Sequence, residues 1–189
     1  MNVMTAPAEP GIEIAPLLAR LPGLLGDLRS DHAGETGAVM IYRGILARAQ
    51  DPAIRAFATA HLATEAEHLR LLEAMLAPGQ RSVLLPIWRV AGFLTGWLPA
   101  LFGPRAVYAT IEAVETFVDR HYEEQVAKLG RTGEEGALRR LLEVCQGEEV
   151  HHRDEAAAAL GAGRSMWLRA WGWVVGSGSA AAVTAARRI

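Results

Sequence analysis

The sequence predicts an all-α fold, a bundle of four long helices with further helical segments attached. About half of the 189 residues are apolar, and the chain is rich in Ala, Leu, Arg and Glu, which favour helices. Pro and Gly interrupt the helical stretches at Pro78-Gly79, Gly103-Pro104 and Gly161-Ala-Gly163. Glutamate and histidine recur within these stretches at a spacing of three residues, which places both side chains on one helix face.

Sequence signals mark the ends of each predicted helix. Asp51 is a suitable N-cap and Pro52 a suitable first residue for the second helix. The first 20 residues are rich in proline and predict a flexible lead-in before a domain that spans residues 21–189. The predicted helices cover residues 24–49, 51–76, 104–129, 134–160 and 166–189.

Residues 83–102 form an apolar segment that carries two tryptophans, Trp88 and Trp97. A membrane-spanning helix needs about 20 mainly apolar residues, so length alone permits a span. Arg89 inside the segment, with Pro86 and Pro99, argues against one. The segment is predicted to cross over between two helical hairpins, partly buried against the bundle and partly in a membrane surface. The C-terminal helix, residues 166–189, begins with three tryptophans typical of a membrane interface.

The two hairpins, residues 21–78 and 103–160, repeat the same pattern of acidic, histidine and tyrosine residues. Glu35 and Glu115 lie 80 positions apart, and a Glu-x-x-His pair follows each of them. Tyr42 and Tyr122 each lie seven residues after those glutamates. One Glu from each of two helices and one Glu-x-x-His from each of two others is the ligand set of ferritin-like di-iron bundles. The predicted metal ligands are Glu35, Glu65, His68, Glu115, Glu148 and His151.

The second Glu-x-x-His pair has two candidate positions within its helix. Glu149 and His152 form a competing pair with the same spacing. The pairs at 65/68 and 148/151 share an offset of 83 residues, which favours Glu148 and His151. A difference in loop length would remove that preference, so the competing pair stays open. Carboxylate and imidazole ligands without a thiolate suit iron or manganese.

Several other polar residues have two interpretations. Five of them either form hydrogen bonds to the ligands or are simply solvated at the surface: Asp31, His32, Asp119, His152 and Asp154. Glu112 lies three residues before Glu115 and is either an outer partner of the site or a surface residue. Tyr122 is expected to pack in the core, with a role as an electron relay or channel residue as the alternative.

Composition excludes several functional classes. A net charge of −2 gives no reason to expect nucleic acid as a partner. A single cysteine, Cys145, cannot form a disulfide framework or an all-cysteine iron–sulfur cluster within one chain. Gly176-Ser-Gly178 begins a match to the dinucleotide-binding pattern, but no strand precedes it. No flavin or nicotinamide site is predicted, so electrons for oxygen chemistry must come from an external donor or the substrate.

The motifs taken together resemble those of the demethoxyubiquinone hydroxylases over roughly residues 20–189. The similar segments are Asp31-His-Ala-Gly-Glu35, Glu65-Ala-Glu-His68, Glu115 with His121-Tyr122, and Glu148-Glu-Val-His151-His152. The resemblance implies a ferritin-like bundle that holds two iron ions. It implies hydroxylation of demethoxyubiquinol with dioxygen in ubiquinone biosynthesis. It also implies peripheral association with the cytoplasmic face of the cell membrane and assembly with other ubiquinone-synthesis proteins.

Two other functional classes remain as alternatives. The same bundle could store iron or reduce peroxide, although exposed apolar segments argue against a soluble storage cage. A membrane-bound scaffold or lipid-binding helical protein is the non-enzymatic alternative, and it has no need for six clustered metal-ligand side chains. The iron content of the purified protein discriminates that second class.

Overall fold

The computed structural model describes residues 12–132 and 136–189. Within these residues the chain forms seven α-helices and a short 3₁₀ turn, with no strand. The predicted lead-in lies partly outside the described residues, and its later part is the short helix α1. The helices are α1 (Ile14–Arg20), α2 (Leu24–Arg48), α3 (Pro52–Met75), α4 (Leu85–Ala100), α5 (Pro104–Thr132), α6 (Ala137–Leu160) and α7 (Met166–Ala186).

The four long helices α2, α3, α5 and α6 form the bundle. Helix α2 packs against α3, and α5 packs against α6, so each hairpin forms one half. Helix α4 lies along α2, and α7 lies along α5 and α2. The predicted all-α bundle, with an apolar crossover segment and an additional C-terminal helix, is confirmed.

The start of α3 follows the predicted capping signal. The Asp51 carboxylate accepts hydrogen bonds from the backbone N–H groups of Ala53 at 2.8 Å and Ile54 at 3.2 Å. Pro52 takes the first helical position, where its missing N–H leaves no hydrogen bond unmade. This cap fixes where α3 begins and therefore where its later polar residues face.

Two apolar clusters fill the bundle at its two ends. One contains residues such as Ile45, Ile54 and Ile111, and the other contains residues such as Leu28 and Leu142. Along each of the four long helices, the buried glutamates fall between the segments that supply these clusters. Apolar packing at both ends therefore supports a charged layer in the middle of the bundle.

Glycines bring α4 into direct backbone contact with α2. A Cβ atom placed on Gly92 would lie 2.5 Å from the Gly37 carbonyl oxygen. A Cβ atom on Gly44 or Gly96 would overlap a backbone carbonyl of the facing helix. Only glycine fits at these crossings, and the apolar crossover segment is therefore held tightly on the bundle.

The outer surfaces of α4 and α7 remain strongly apolar. In the described parts of the chain, no helix combines the length and the apolar character that crossing a membrane requires. The exposed large apolar side chains on and beside these two helices are Val83, Ile87, Val90, Leu94, Leu98, Leu101, Phe102, Met166, Trp167, Trp173 and Val174.

Candidate metal centre

The middle of the bundle brings together four carboxylates and two imidazoles. They form two groups, and the ligand-capable atoms within each group lie within 4.8 Å of one another. The first group is Glu35, Glu65, His68 and Glu149, and the second is Glu65, Glu115, Glu149 and His152. Glu65 and Glu149 belong to both groups, so they lie between two neighbouring positions that a metal ion could occupy.

The imidazole nitrogens point at the shared carboxylates. His68 Nδ1 lies 3.2 Å from Glu149 Oε1 and 3.8 Å from oxygens of Glu35 and Glu65. His152 Nδ1 lies 2.9 Å from Glu65 Oε1. All six side chains are buried, so bulk water does not screen these contacts.

Many of these atoms lack hydrogen bonds of normal geometry within the described structure. Both oxygens of Glu65 and of Glu149, one oxygen of Glu115, and Nδ1 of both His68 and His152 are buried without such partners. Buried polar atoms are nearly always satisfied, and a set of orphaned oxygens and nitrogens that face one another fits divalent cations. The residues therefore fit a two-metal site, in which four carboxylates would balance the charge of two divalent ions.

Burial and close contact shift the pKa values of the clustered carboxylates and imidazoles. Burial, reinforced by the neighbouring carboxylates, raises the pKa of Glu65 and Glu115 well above their ordinary value of 4.5. Burial also acts to raise the pKa of Glu149, but the nearby imidazoles of His152 and His68 outweigh it and hold that pKa at about 2. Burial acts to lower the pKa of His68. Hydrogen bonds between its ring and the side chains of Cys145, Glu148, Glu149 and Glu35 outweigh burial and raise that pKa well above 6.5.

The two repeated tyrosines each bind a carboxylate from the other half of the molecule. The Tyr122 hydroxyl donates a hydrogen bond to Glu35 Oε1 at 2.5 Å, and the Tyr42 hydroxyl donates to Glu115 Oε1 at 3.1 Å. Both tyrosines are fully buried in the core, as expected for the packing interpretation. The two hairpins are therefore tied together directly at the cluster.

Glu148 and His151, predicted as ligands, lie outside both groups, and the competing pair Glu149 and His152, one residue further along α6, lies inside them. The side chains of Glu148 and His151 are 40% and 68% exposed, whereas Glu149 and His152 are buried in the cluster. One residue turns a helix by about 100°, which separates a core-facing side chain from a surface one. The repeat offset could not detect this step, because the connections within the two hairpins differ in length.

The sequence did contain a signal for the buried pair, Glu149 and His152. The buried apolar residues of α6 include Leu141, Cys145 and Ala156, which recur at helical spacing. Glu149 and His152 continue that stripe, because they lie four and seven residues after Cys145. The direction of the apolar stripe, rather than the repeat, identifies the inward-facing pair.

The remaining candidates lie around the site rather than in it. Asp31 is buried and lies 2.9 Å from His121 Nε2, and its carboxylate also accepts a hydrogen bond from Gln125. The other candidates have surface partners: Glu73 lies 3.8 Å from His32, Arg153 contacts both Asp119 and Asp154, and Arg164 binds Glu112.

A cavity of about 330 Å³ reaches the cluster from one side. It lies between the pair α2 and α5 and the covering helices α4 and α7, and it includes Glu35, Glu65, Glu115 and Glu149 in its lining. Its walls are mainly apolar, and a polar corner lies apart from them. The apolar walls are formed by residues such as Trp88, Val114, Phe117, Trp171 and Val175, and the polar corner by Ser30, Asp31 and His121.

Fold and site together define the chain as a helical-bundle protein whose core can hold metal ions beside an apolar cavity. The chain belongs to the family described as ubiquinone biosynthesis protein COQ7, whose sequence profile matches residues 25–186. The resemblance in its motifs is thereby confirmed, and the profile covers all six clustered side chains.

Individual relatives carry hydroxylase names. The 3-demethoxyubiquinol 3-hydroxylase of Rhodospirillum rubrum is 38% identical over 130 residues, which cover 67% of this chain and 60% of the relative. NADPH-dependent 3-demethoxyubiquinone 3-hydroxylases, named as mitochondrial, are similar in Dictyostelium discoideum and Caenorhabditis elegans. The Dictyostelium discoideum protein is 36% identical over 66% of this chain and 59% of its own length. The Caenorhabditis elegans protein is 31% identical over 86% of this chain and 88% of its own length. The chain therefore spans only about 60% of the length of two of these relatives.

Proposed function

We propose that the chain is a di-iron monooxygenase of ubiquinone biosynthesis. Its substrate would be demethoxyubiquinol, a 2-polyprenyl-3-methyl-6-methoxy-1,4-benzoquinol, and its oxidant dioxygen. The observation that carries this proposal is a buried cluster of four carboxylates and two imidazoles that faces an apolar cavity. The names of the relatives supply the substrate and the reaction.

The proposed ligands follow the geometry of the cluster. Each site would take one imidazole and one carboxylate of its own, and share two further carboxylates with its neighbour. When bound, the two irons would bind dioxygen and supply electrons for its reduction. The proposed ligand set is Glu35, Glu65, His68, Glu115, Glu149 and His152.

The cavity provides a place for the substrate ring next to the cluster. An apolar cavity of about 150 Å³ is large enough for benzene, so about 330 Å³ accommodates a substituted ring and the start of its tail. Trp88, Phe117 and Trp171 supply apolar surface that excludes water and stacks against such a ring. The Tyr42 and Tyr122 hydroxyls would hold two of the carboxylates in place while the ring binds.

The reaction needs electrons that this chain does not store. Hydroxylation converts one ring C–H bond to C–OH, and the second oxygen atom leaves as water after uptake of two electrons and two protons. Two relatives are named as NADPH-dependent, so NADPH is the reductant to test first.

We also propose that the protein acts at the cytoplasmic face of the cell membrane, with other ubiquinone-synthesis proteins as partners. The polyprenyl tail of the proposed substrate supports a position at a membrane.

Turnover with isotope-labelled dioxygen tests the proposal. The metal-free protein is loaded with Fe²⁺, mixed with demethoxyubiquinol and reductant, and the product is analysed by mass spectrometry. The expected product gains one labelled oxygen atom, and a Glu149→Ala variant should form it at least about 100-fold more slowly. An iron-loaded, reduced protein that yields no labelled product would overturn the proposal. Consumption of peroxide, or uptake of many irons per chain, would then favour peroxide reduction or iron storage, and a lack of iron binding would favour a scaffold.

A further inference from the structure

Two histidine–glutamate contacts join α3 and α6 on the side of the bundle away from the cavity. His68 Nε2 lies 2.6 Å from Glu148 Oε2, and His61 Nε2 lies 2.9 Å from Glu155 Oε2. The two histidines are seven residues apart on α3, and the two glutamates are seven apart on α6. Seven residues are two helical turns, so the antiparallel helices repeat one contact at two levels.

The first contact sets the orientation of an imidazole in the cluster. His68 presents Nδ1 to Glu35, Glu65 and Glu149, and presents Nε2 to Glu148. A carboxylate at Nε2 holds the proton on that nitrogen, which leaves the lone pair of Nδ1 free for a metal ion. The Glu148 side chain is 40% exposed and belongs to neither group, so its contact with the cluster runs through His68.

The second contact reaches the other half of the cluster through one more residue. His61 is buried, and its ring stacks on His152 with centroids 4.0 Å apart and planes 18° apart. His61 Nδ1 lies 3.2 Å from the Tyr42 hydroxyl, which donates to Glu115. Glu155, with a side chain 47% exposed, is therefore linked through His61 to His152, one of the residues unique to the second group.

We propose that Glu148 and Glu155 are positioning residues, each for a different half of the metal centre. Glu148 orients His68 in the first site. Glu155 orients His61, whose ring in turn packs against His152 in the second site. The inference rests on the proposed metal centre and goes beyond it, because it assigns separate surface carboxylates to the two sites.

Site-specific metal binding tests this division. Metal-free protein is titrated with Co²⁺, whose visible absorption reports the coordination at each site, and affinities are measured by calorimetry. Wild-type protein is expected to bind two equivalents. Loss of an outer partner typically weakens metal binding 10- to 100-fold, so Glu148→Ala should weaken one equivalent by about that factor, and Glu155→Ala the other. Glu148→Gln, which keeps an oxygen acceptor, should restore part of the affinity.

Single-site backgrounds identify which equivalent is affected. His152→Ala removes a ligand of the second site, and His68→Ala removes one of the first. Glu148→Ala should weaken Co²⁺ binding in the His152→Ala background, and Glu155→Ala should weaken it in the His68→Ala background. Neither should have an effect in the opposite background. Glu143→Ala is the matched control, because Glu143 is also 40% exposed on α6 but bonds to Arg139 of its own helix.

The outcomes separate this inference from the proposed function. Wild-type protein that fails to bind two equivalents would overturn the proposed function and the inference with it. Two wild-type equivalents, with unchanged affinities and spectra in Glu148→Ala and Glu155→Ala, would overturn the inference alone. If Glu148→Ala, Glu155→Ala and the control Glu143→Ala all weaken metal binding at both sites equally, the role of these residues is merely structural. That result would also overturn the inference.

Discussion

Glu149 is a residue on which both proposed metal sites depend, since it belongs to both groups of ligand-capable atoms. We expect Glu149→Ala to reduce bound iron from two equivalents to less than one and to lower turnover by at least about 100-fold, because a ligand matters more than an outer partner. His151→Ala is the matched control, because that side chain is 68% exposed. Bound iron and the rate of turnover are measured for both variants. A normal Glu149→Ala protein together with an inactive His151→Ala protein would restore the originally predicted pair.

The buried charges also predict how the metal-free protein responds to pH. Raised pKa values of Glu65, Glu115, His68 and His152 mean that the folded chain holds protons which the unfolded chain releases. Stability is therefore lost as pH rises, by about 1.4 kcal/mol per pH unit for each extra proton held. Burial lowers the pKa of His61 to about 4, which acts in the opposite direction below pH 6.5, so the test window begins at pH 6.5.

Urea unfolding of metal-free protein across that window measures the effect. The free energy of unfolding should fall as pH rises, and saturating metal should abolish the fall, because bound ligands are already deprotonated. A metal-free protein whose stability is flat or rises as pH increases above 6.5 would contradict the assigned directions.

At the level of single residues, the sequence identified the inward-facing side chains only where no adjacent residue offered an alternative Glu or Glu-x-x-His pair. Glu35, Glu65, His68 and Glu115 are brought together as the motifs suggested. Glu148 and His151 are not, because two adjacent Glu-x-x-His pairs satisfy the same spacing and only packing chooses between them. The contact from Glu148 to His68 could not be predicted, because it joins two helices through side chains 80 residues apart.

At the level of helices, the close contact of α4 with α2 depends on glycine. Gly96→Ala would place a methyl group into the Ile41 carbonyl, so α4 must move outward. We expect a loss of about 1–3 kcal/mol in the free energy of unfolding, as for overpacked cores. The cavity wall formed by α4 should shift with it and reduce substrate binding.

Gly147→Ala on α6 is the control for that change. Gly147 is exposed and has no neighbouring atom within 4 Å of an added Cβ, so alanine should stabilise the helix by about 0.5–1 kcal/mol. Chemical denaturation measures both variants. Equal stabilities for the two alanine variants would mean that α4 does not pack as closely as described.

The helices themselves were predicted well from sequence, whereas their contacts were not. Capping at Asp51 and breaks at Pro and Gly fixed the boundaries, because those signals act within a few residues. The crossover at 83–102 was recognised from its composition. Its contact with α2 involves Gly44, Gly92 and Gly96, whose partners lie far along the chain, and local pattern could suggest close packing without naming the partner helix.

At the level of the whole molecule, two halves share one centre. Tyr42 and Glu35 come from the first hairpin, Tyr122 and Glu115 from the second, and each tyrosine binds the glutamate of the other half. Neither hairpin can complete a group of ligand-capable atoms alone, because both groups contain residues of α3 and α6. Packing, the two groups of ligand-capable atoms and the cavity are therefore properties of the assembled bundle.

The apolar surface of α4 and α7 points to the side from which a lipid-like substrate would enter. Phe102, just after α4, contacts Trp167 of α7 with ring centroids 5.9 Å apart, so the two surfaces meet. The cavity lies directly beneath these two helices. In the proposed membrane association, this surface would lie at the lipid–water boundary.

Charged substitutions on that surface test membrane binding separately from the metal centre. Val90 and Trp173 are 62% and 73% exposed, so aspartate at either position should leave the fold and iron content intact. Each change should reduce co-sedimentation with phospholipid vesicles by roughly tenfold, because an apolar contact is replaced by a charge. Val144→Asp is the control, since Val144 is 46% exposed on α6, away from the cavity. Equal vesicle binding by all three variants would assign the apolar surface to a protein partner instead.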